Sequence, residues 1–206
     1  MSMWTEVADR AIRGLGVTRG ELIQVRDHTG RQDVLLEMLL AVERAGATPL
    51  PELTPPGYLR RLLNEADDDD LARWDRHRLR WMEMVDRVLV LQGPGLDANE
   101  VPDPALDAWS EAVDRLTALE EDRRLPYMLV GVPTVERAHE LGMTLAELEE
   151  QLLPAMALPI EALRHETARL LGRMRGHREI VIRSGDGAEL RLDASNRRWF
   201  EDDGWI

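Results

Sequence analysis

Segments typical of strands and of helices alternate along most of this chain, and this alternation restricts its fold more than any other feature. Four short apolar segments predict strands at residues 21–26, 48–53, 86–91 and 126–132. Amphipathic segments long enough to cross over a sheet follow them. Such an order favours a parallel sheet with helices on both faces. The sequence therefore predicts an α/β fold, a Rossmann-like, mostly parallel sheet of about four strands flanked by helices, spanning roughly residues 15–175.

Local signals set the expected ends of several elements. The expected helices cover residues 5–13, 31–45, 58–64, 71–85, 104–121, 135–140, 144 to about 156, and 159–174. Thr144 and Glu147 form the pattern of a capping box, which opens a helix. Pro49 and Pro51 cannot donate to a β-ladder, so they confine the second strand to a sheet edge or to a strand start.

Residues 179–193 contain two alternating segments around a Gly-rich turn, which predicts a β-hairpin. Trp199, Phe200 and Trp205 follow it closely. A hairpin alone is marginal in water, and large apolar side chains beside one are typical of the start of a larger sheet. We therefore divide the chain into an amino-terminal α/β domain, residues 1–176, and a segment, residues 177–206, that begins a second, truncated domain.

Composition narrows the function classes. The net charge of −13 argues against nucleic-acid binding, which needs a basic face. All 26 basic residues are Arg, so lysine chemistry such as a Schiff base is excluded, and the absence of Cys excludes disulfides and thiolate chemistry. No apolar run approaches the ~20 residues that span a bilayer, and the first residues lack a signal-peptide pattern. These features predict a cytoplasmic protein without a membrane partner.

The acidic and histidine-containing segments are candidates for metal sites. The four aspartates at residues 67–70 enter a helix directly and lack the Gly turn of a calcium loop, so they are interpreted as a helix cap. His77 shares one helical face with Trp74 and Trp81 if residues 71–85 form one helix. His139 is expected beside the carboxyl end of its short helix. His165 and Glu166 lack the second His of a zinc-peptidase motif.

Two further patterns give only weak indications of a ligand-binding or catalytic site. Gly93-Pro94-Gly95 follows the third strand, where open α/β sheets bind ligands. The dinucleotide fingerprint is absent, although a helix amino end can hold phosphate without it, and a plain loop is the simpler interpretation. Ser184 and Ser195 have no His and Asp at plausible spacing, and their turns favour hairpin geometry over catalysis. The sequence thus assigns no catalytic, cofactor-binding or metal-binding residue.

One long segment carries a family resemblance. Residues 127–150, Tyr-Met-Leu-Val-Gly-Val-Pro-Thr-Val-Glu-Arg-Ala-His-Glu-Leu-Gly-Met-Thr-Leu-Ala-Glu-Leu-Glu-Glu, resemble the middle of the thermophilic metallo-aminopeptidases of the aminopeptidase T and aminopeptidase S type. The similarity continues into Arg197-Arg198-Trp199 and Asp203-Gly204. Weaker matches at residues 20–26 and 43–49 extend it over nearly the whole chain.

The resemblance implies a function for a larger protein. Enzymes of this family use two divalent metal ions, zinc, cobalt or magnesium, to release amino-terminal residues from peptides, and the resemblance implies a homodimer. Their metal ligands follow the matched tail, so we expect this chain to be the amino-terminal domain without the catalytic half, and to be inactive alone. The alternative is a stand-alone, non-catalytic ligand-binding or interaction module of Rossmann-like fold. The coding sequence beyond Ile206 separates the two.

Overall fold

The structure, a computed structural model, describes residues 2–93, 95–96 and 98–199, without the side chains of Ala98 and Ile160. The predicted roles of Pro94, Phe200, Asp203-Gly204 and Trp205 therefore lie outside the described residues. The described chain divides into two compact units, with the boundary between Ala157 and Leu158. The predicted boundary between residues 176 and 177 separates two domains, which is a different property from this division into compact units. The predicted domain boundary therefore stays a prediction.

The first unit contains a sheet and the helices around it. Its strands are β1 (Leu22–Asp27), β2 (Thr48–Leu53), β3 (Arg87–Gln92) and β4 (Tyr127–Gly131). Its helices are α1 (Met3–Gly14), α2 (Gln32–Arg44), α3 (Tyr58–Glu65), α4 (Asp68–Leu71), α5 (Arg78–Met84), α6 (Asp103–Arg123), α7 (Val135–Glu140) and α8 (Leu145–Met156). A 3-10 turn, Ala98–Glu100, precedes α6.

The four strands are parallel in the order β2-β1-β3-β4, which confirms the predicted sheet. β2 lies at an edge, which is one of the two positions that its prolines were expected to allow. The N–H groups of Thr48 and Thr54 donate to β1 or its flank at 2.8 Å each. Neighbouring residues of a strand turn their backbone groups to opposite sides. Pro49 and Pro51 therefore face the open side, where a missing N–H breaks no ladder bond.

The two faces of the sheet bury different side chains. One face is apolar, because Ile23, Val25, Leu89 and Leu91 are fully buried in a cluster shared with α1, α2 and α8. Apolar burial at this face contributes roughly 25 cal/mol per Å². On the other face, apolar residues of α5 and α6 form a second cluster with Val88, and Leu22 of β1 and Leu50 of β2 pack against it. The same face also carries the polar side chains of Gln24 and Glu52. The unit is therefore a three-layer α/β/α structure.

The helix predicted at residues 71–85 is wrong as a single element. α4 ends at Leu71, turns follow, and α5 begins at Arg78. In this break, arginine side chains donate hydrogen bonds to carbonyl oxygens that would accept from backbone N–H groups in a continuous helix. Arg115 donates to the oxygen of Ala72 at 2.6 Å and to the buried carboxylate of Asp75 at 2.6 Å. Arg78 donates to the oxygen of Trp74 at 3.0 Å. The break is therefore accompanied by contacts with a residue about forty positions away in the chain.

The second unit contains α9 (Ile160–Met174), β5 (Glu179–Arg183) and β6 (Glu189–Asp193). β5 and β6 pair antiparallel, with Ile180 opposite Leu192 and Ile182 opposite Leu190, which confirms the predicted hairpin. Its turn closes through a hydrogen bond from the N–H of Ser184 to the oxygen of Ala188 at 3.0 Å. None of the helices in the described residues has the length and apolarity needed to cross a membrane.

Candidate functional site

A cleft of about 630 Å³ lies where the parallel strands end. Its lining comes from strand ends and from the loops and helices that follow them: His28, Thr54, Pro55, Pro56, Gly57, Leu59, Arg60, Val90, Gln92, Gly93, Gly95, Leu96, Glu100, Leu129 and Glu136. Val90 and Leu129 are register partners on β3 and β4 and contribute apolar lining. This carboxyl edge of an open α/β sheet is where such folds bind ligands.

The loop after β1 places His28 in this lining. The buried carboxylate of Asp27 accepts hydrogen bonds from the backbone N–H and the hydroxyl of Thr29, at 2.8 and 2.6 Å. The Thr29 oxygen in turn accepts from the N–H of Arg31 at 3.0 Å. Asp side chains commonly fix turns through such bonds. The loop is thus held by its own side chains, with His28 between the two buried residues.

The environment of His28 alters its protonation. His28 has substantial solvent-accessible surface, but it lines the cleft, and the cleft walls partly desolvate its imidazole. This burial lowers the pKa of His28 below its ordinary value, although the carboxylate of Glu52 acts in the opposite direction. At neutral pH the cleft therefore contains a neutral imidazole, which can both donate and accept a hydrogen bond.

Gly93 allows the loops after β1 and β3 to approach closely. A methyl group placed on Gly93 would lie 2.8 Å from the backbone oxygen of His28 and 3.3 Å from the Cα of Thr29. The N–H of His28 also donates to the oxygen of Leu91 at 3.1 Å. The Gly-Pro-Gly pattern is thus explained at its first position by backbone contact between two loops.

Arg31 connects the elements around the same edge. Its guanidinium donates to both carboxylate oxygens of Asp33, at 2.9 and 2.6 Å, to the oxygen of Pro133 at 2.9 Å and to Glu149 at 2.8 Å. The indole of Trp4 donates to the same oxygen of Glu149 at 3.0 Å. The hydrogen bond with Asp33 is the main reason that the pKa of Arg31 is raised. One cation therefore links the starts of α1 and α2 with the loop after β4 and with α8.

The rim of the cleft carries charges. Arg60 of α3 and Glu100 form an ion pair at 3.0 Å, and both side chains are about half exposed. Glu136, in the first turn of α7, is also part of the lining. Apolar walls with a few polar groups around them suit a small ligand that has both apolar and hydrogen-bonding parts.

A second polar cluster lies on one face of the sheet, under α5 and α6. Glu52 accepts from Gln24 at 2.8 Å and from Arg78 at 2.7 Å, while Arg26 donates to Glu120 at 2.5 Å. The Arg78 guanidinium also stacks 3.7 Å from the ring centre of Trp74. These groups satisfy one another, so the cluster is explained as a structural layer.

Several sequence candidates are placed apart from the cleft. Asp67 caps α4 without a side-chain hydrogen bond, and Asp70 pairs with Arg73 at 3.1 Å. The shared helical face proposed for Trp74, His77 and Trp81 is wrong, because α5 begins only after His77.

The remaining candidates lie on short local features. His139 is in the last turn of α7. Glu166 pairs with Arg169 at 2.6 Å. The hydroxyl of Ser184 donates to Asp186, and that of Ser195 donates to Asp193 at 2.6 Å. In the described part of the chain, no three His, Asp or Glu side chains come together in a way that could hold a metal ion.

Sequence reasoning missed His28 and Arg31. The available signal was their position directly after the first strand, at the edge where Gly93 was noticed. The site residues of the cleft come from loops whose order in space follows the strand order β2-β1-β3-β4.

Fold and cleft together describe a Rossmann-like α/β protein with a candidate ligand site at its sheet edge. No family model matches the sequence, and no curated protein matches it. Among solved structures, the chain is similar to wild-type AmpT (aminopeptidase T) from Thermus thermophilus, with a TM-score of 0.61 and 17% identity. The match covers 91% of this chain and 58% of AmpT, so the chain spans little more than half of that protein. This likeness shows that the two chains share their α/β fold.

A second solved structure, 2,5-dihydroxypyridine dioxygenase from Pseudomonas putida KT2440, matches with a TM-score of 0.48 and 13% identity. The match covers 94% of this chain and 48% of the dioxygenase. A TM-score at this level supports no inference about function.

Proposed function

We propose that this chain serves as the amino-terminal domain of an aminopeptidase-like protein. The likeness to AmpT carries the proposal, because it extends over 91% of this chain. That share is longer than the first compact unit, which ends at Ala157, so the likeness includes part of the second unit.

The local structure of the resembling segment supports the proposal. The family that residues 127–150 resemble has a strand, a Pro-Thr turn, a short helix and a second helix in this segment. The structure has β4, then Pro133-Thr134, α7 and α8 in this order. Thr134 accepts from the N–H of Arg137 at 3.3 Å, and Thr144 and Glu147 form a complete capping box. The predicted element order in this segment is therefore confirmed.

The two divalent metal ions of the family do not fit the residues described here. No set of three His, Asp or Glu side chains converges between residues 2 and 199, the masked positions excepted. We therefore derive no catalytic step from this chain. In the proposed whole protein, peptide hydrolysis belongs to another domain, and this domain would shape access to the active site and contribute to a dimer.

The experiment is a comparison of two proteins from one reading frame. The coding sequence is read beyond the Ile206 codon, and the continuous protein is expressed beside the chain that ends at Ile206. Both are assayed for amino-acid release from peptides with zinc, cobalt or magnesium. We expect metal-dependent, chelator-sensitive release by the continuous protein and none by the shorter chain. A stop codon after Ile206, an inactive continuous protein, or activity in the shorter chain would contradict the proposal.

The cleft favours a second candidate, a stand-alone ligand-binding module. To test it, a set of small molecules is screened for saturable binding to the chain. The affinity of each molecule that binds is then measured for the Glu136→Ala variant. Glu140→Ala is the matched control, because Glu140 lies on the same helix but is paired with Arg137 at 2.8 Å, outside the cleft lining. Weaker binding by the first variant alone, together with a stop codon after Ile206, supports this candidate.

A further inference from the structure

One face of the sheet forms the floor of the cleft. Register partners on neighbouring parallel strands turn their side chains to the same face. Val90 of β3 and Leu129 of β4 are register partners, and both line the cleft. The side chains that come next on this face, toward the carboxyl ends of the strands, can therefore be identified from the backbone hydrogen bonds.

Three polar side chains form a row at that next level. The N–H of His28 donates to the oxygen of Leu91 at 3.1 Å, and the N–H of Thr54 donates to the oxygen of Asp27 at 2.8 Å. In a parallel ladder these bonds pair His28 with Gln92 and Thr54 with His28. Neighbouring strands lie about 4.8 Å apart, so the row of Thr54, His28 and Gln92 spans roughly 10 Å. All three side chains line the cleft.

The row contains hydrogen-bonding groups that the protein itself does not use. In the described part of the chain, the hydroxyl of Thr54, the imidazole of His28 and the amide of Gln92 make no hydrogen bond. Lower on the same face, by contrast, Gln24 donates to Glu52 at 2.8 Å. A hydroxyl, a neutral imidazole and an amide can each donate and accept. The row therefore suits a ligand with donors and acceptors along one edge.

The amide of Gln92 narrows the class of ligand. Its register partner on β4 is Gly131, and nothing lies within 4 Å of a methyl group placed there, so the space beside the amide is open. A glutamine amide pairs with adenine through two hydrogen bonds, one to the amino group and one to a ring nitrogen. Val90, Leu129 and Leu59 supply apolar surface against which a base can pack.

The charges of the lining favour a nucleoside over a nucleotide. Arg60 is already paired with Glu100 at 3.0 Å. Among the described charges of the lining, Glu136 has no ion pair. A carboxylate only accepts hydrogen bonds, which suits the hydroxyl groups of a ribose. It repels a phosphate, and the net charge of −13 adds to this repulsion.

We propose that the cleft binds an adenosine-like nucleoside, an aminopurine base with an unphosphorylated ribose. Gln92 contacts the edge of the base, with His28 and Thr54 beside it, and Glu136 accepts from the ribose. The proposal names the ligand class of the stand-alone binding module and rests on that second candidate function. It is independent of the proposed aminopeptidase role.

Isothermal titration calorimetry of the chain ending at Ile206 tests the ligand class with three probes. These are adenosine, AMP, and purine riboside, which lacks the amino group of adenosine. We expect saturable binding of one adenosine per chain. AMP should bind at least about tenfold more weakly because of its phosphate, and purine riboside should do so because it loses one of the two bonds to Gln92.

Gln92→Met tests the contact with the base, because it keeps a long side chain and removes the amide. Adenosine should bind this variant at least about tenfold more weakly, and no more tightly than purine riboside. A general disturbance of the cleft would weaken both nucleosides and keep the difference between them. Gln151→Met is the matched control, since Gln151 is an exposed residue of α8 outside the lining. It should bind like the unaltered chain, and circular dichroism shows that each variant is folded.

The proposal is wrong if adenosine does not bind, or if AMP binds as tightly as adenosine. It is also wrong if Gln92→Met still prefers adenosine to purine riboside. Failure of this proposal can be distinguished from failure of the binding module. If another small molecule binds in a manner that depends on Glu136 while adenosine does not, the nucleoside is wrong and the module stands. If no small molecule binds, both are wrong.

Discussion

Gly93→Ala should destabilise the protein, although it adds one methyl group. That group would lie 2.8 Å from the backbone oxygen of His28 and 3.3 Å from the Cα of Thr29. Both atoms belong to a loop held by Asp27 through hydrogen bonds of 2.8 and 2.6 Å, so the loop cannot move aside without losing them. Overpacking of this kind costs about 1–3 kcal/mol. For a protein of this size, the expected fall in Tm is about 2–12 °C.

Gly95→Ala is the control, because it adds the same group to the same loop. Nothing lies within 4 Å of its added methyl, and its backbone is outside the left-handed region. We expect an unchanged or slightly higher stability, by up to about 1 kcal/mol, since alanine restricts the unfolded chain. Denaturant unfolding followed by tryptophan fluorescence suits the test, because Trp4, Trp74, Trp81 and Trp109 all lie in the first unit. Equal stability of the two variants would refute the close-approach explanation.

Three further outcomes are expected. The pKa of His28 is lowered from 6.5 in the folded protein, so on acidification the unfolded chain binds the proton first and the free energy of unfolding should fall as pH drops below that value. Denaturant unfolding measured from pH 5 to 8 should show a weaker dependence of this free energy on pH in His28→Asn. An equal dependence in the variant and the unaltered chain would contradict this. Arg31→Met should lower the free energy of unfolding by about 1–3 kcal/mol, since it leaves the oxygen of Pro133 without this donor. As a control, Arg44→Met removes an exposed ion pair with Asp9 and should lower it by at most about 1 kcal/mol. Equal losses in the two variants would show that the Arg31 contacts add little to stability. Replacing Pro49 and Pro51 together by Val should restore two outward N–H groups on β2 and raise self-association in light scattering, whereas an unchanged association state would mean that the prolines do not protect this edge.

Features specified by neighbouring residues were predictable from the sequence. Thr144 and Glu147 form the capping box within four residues of each other, and the structure has both of its bonds. Pro49 and Pro51 placed β2 at an edge because their missing donors are a property of the residues themselves. Segments 48–53 and 135–140 have the same ends in the structure as in the prediction.

Features that depend on distant partners were not predictable. The turns between α4 and α5 are contacted by Arg115, which lies about forty residues from Ala72 and Asp75 in the chain. The same holds for the candidate site. Gly93 follows the third strand at the edge of the sheet where the cleft lies, but the surroundings of His28 and Arg31 depend on the cleft walls and on Pro133, which the fold brings near.

The unequal chemistry of the two sheet faces has a consequence for heat and cold. On the side of α1 and α2 the contacts are apolar, and hydrophobic stabilisation weakens on cooling. On the side of α5 and α6, Glu52 and Arg78 form a charged layer, and the desolvation penalty of ion pairs falls as temperature rises. Cooling therefore weakens apolar contacts on both sides of the sheet, because a second apolar cluster lies under α5 and α6. Heating lowers the desolvation cost of the ion pair that lies beside this second cluster, so the two sides do not respond to temperature equally.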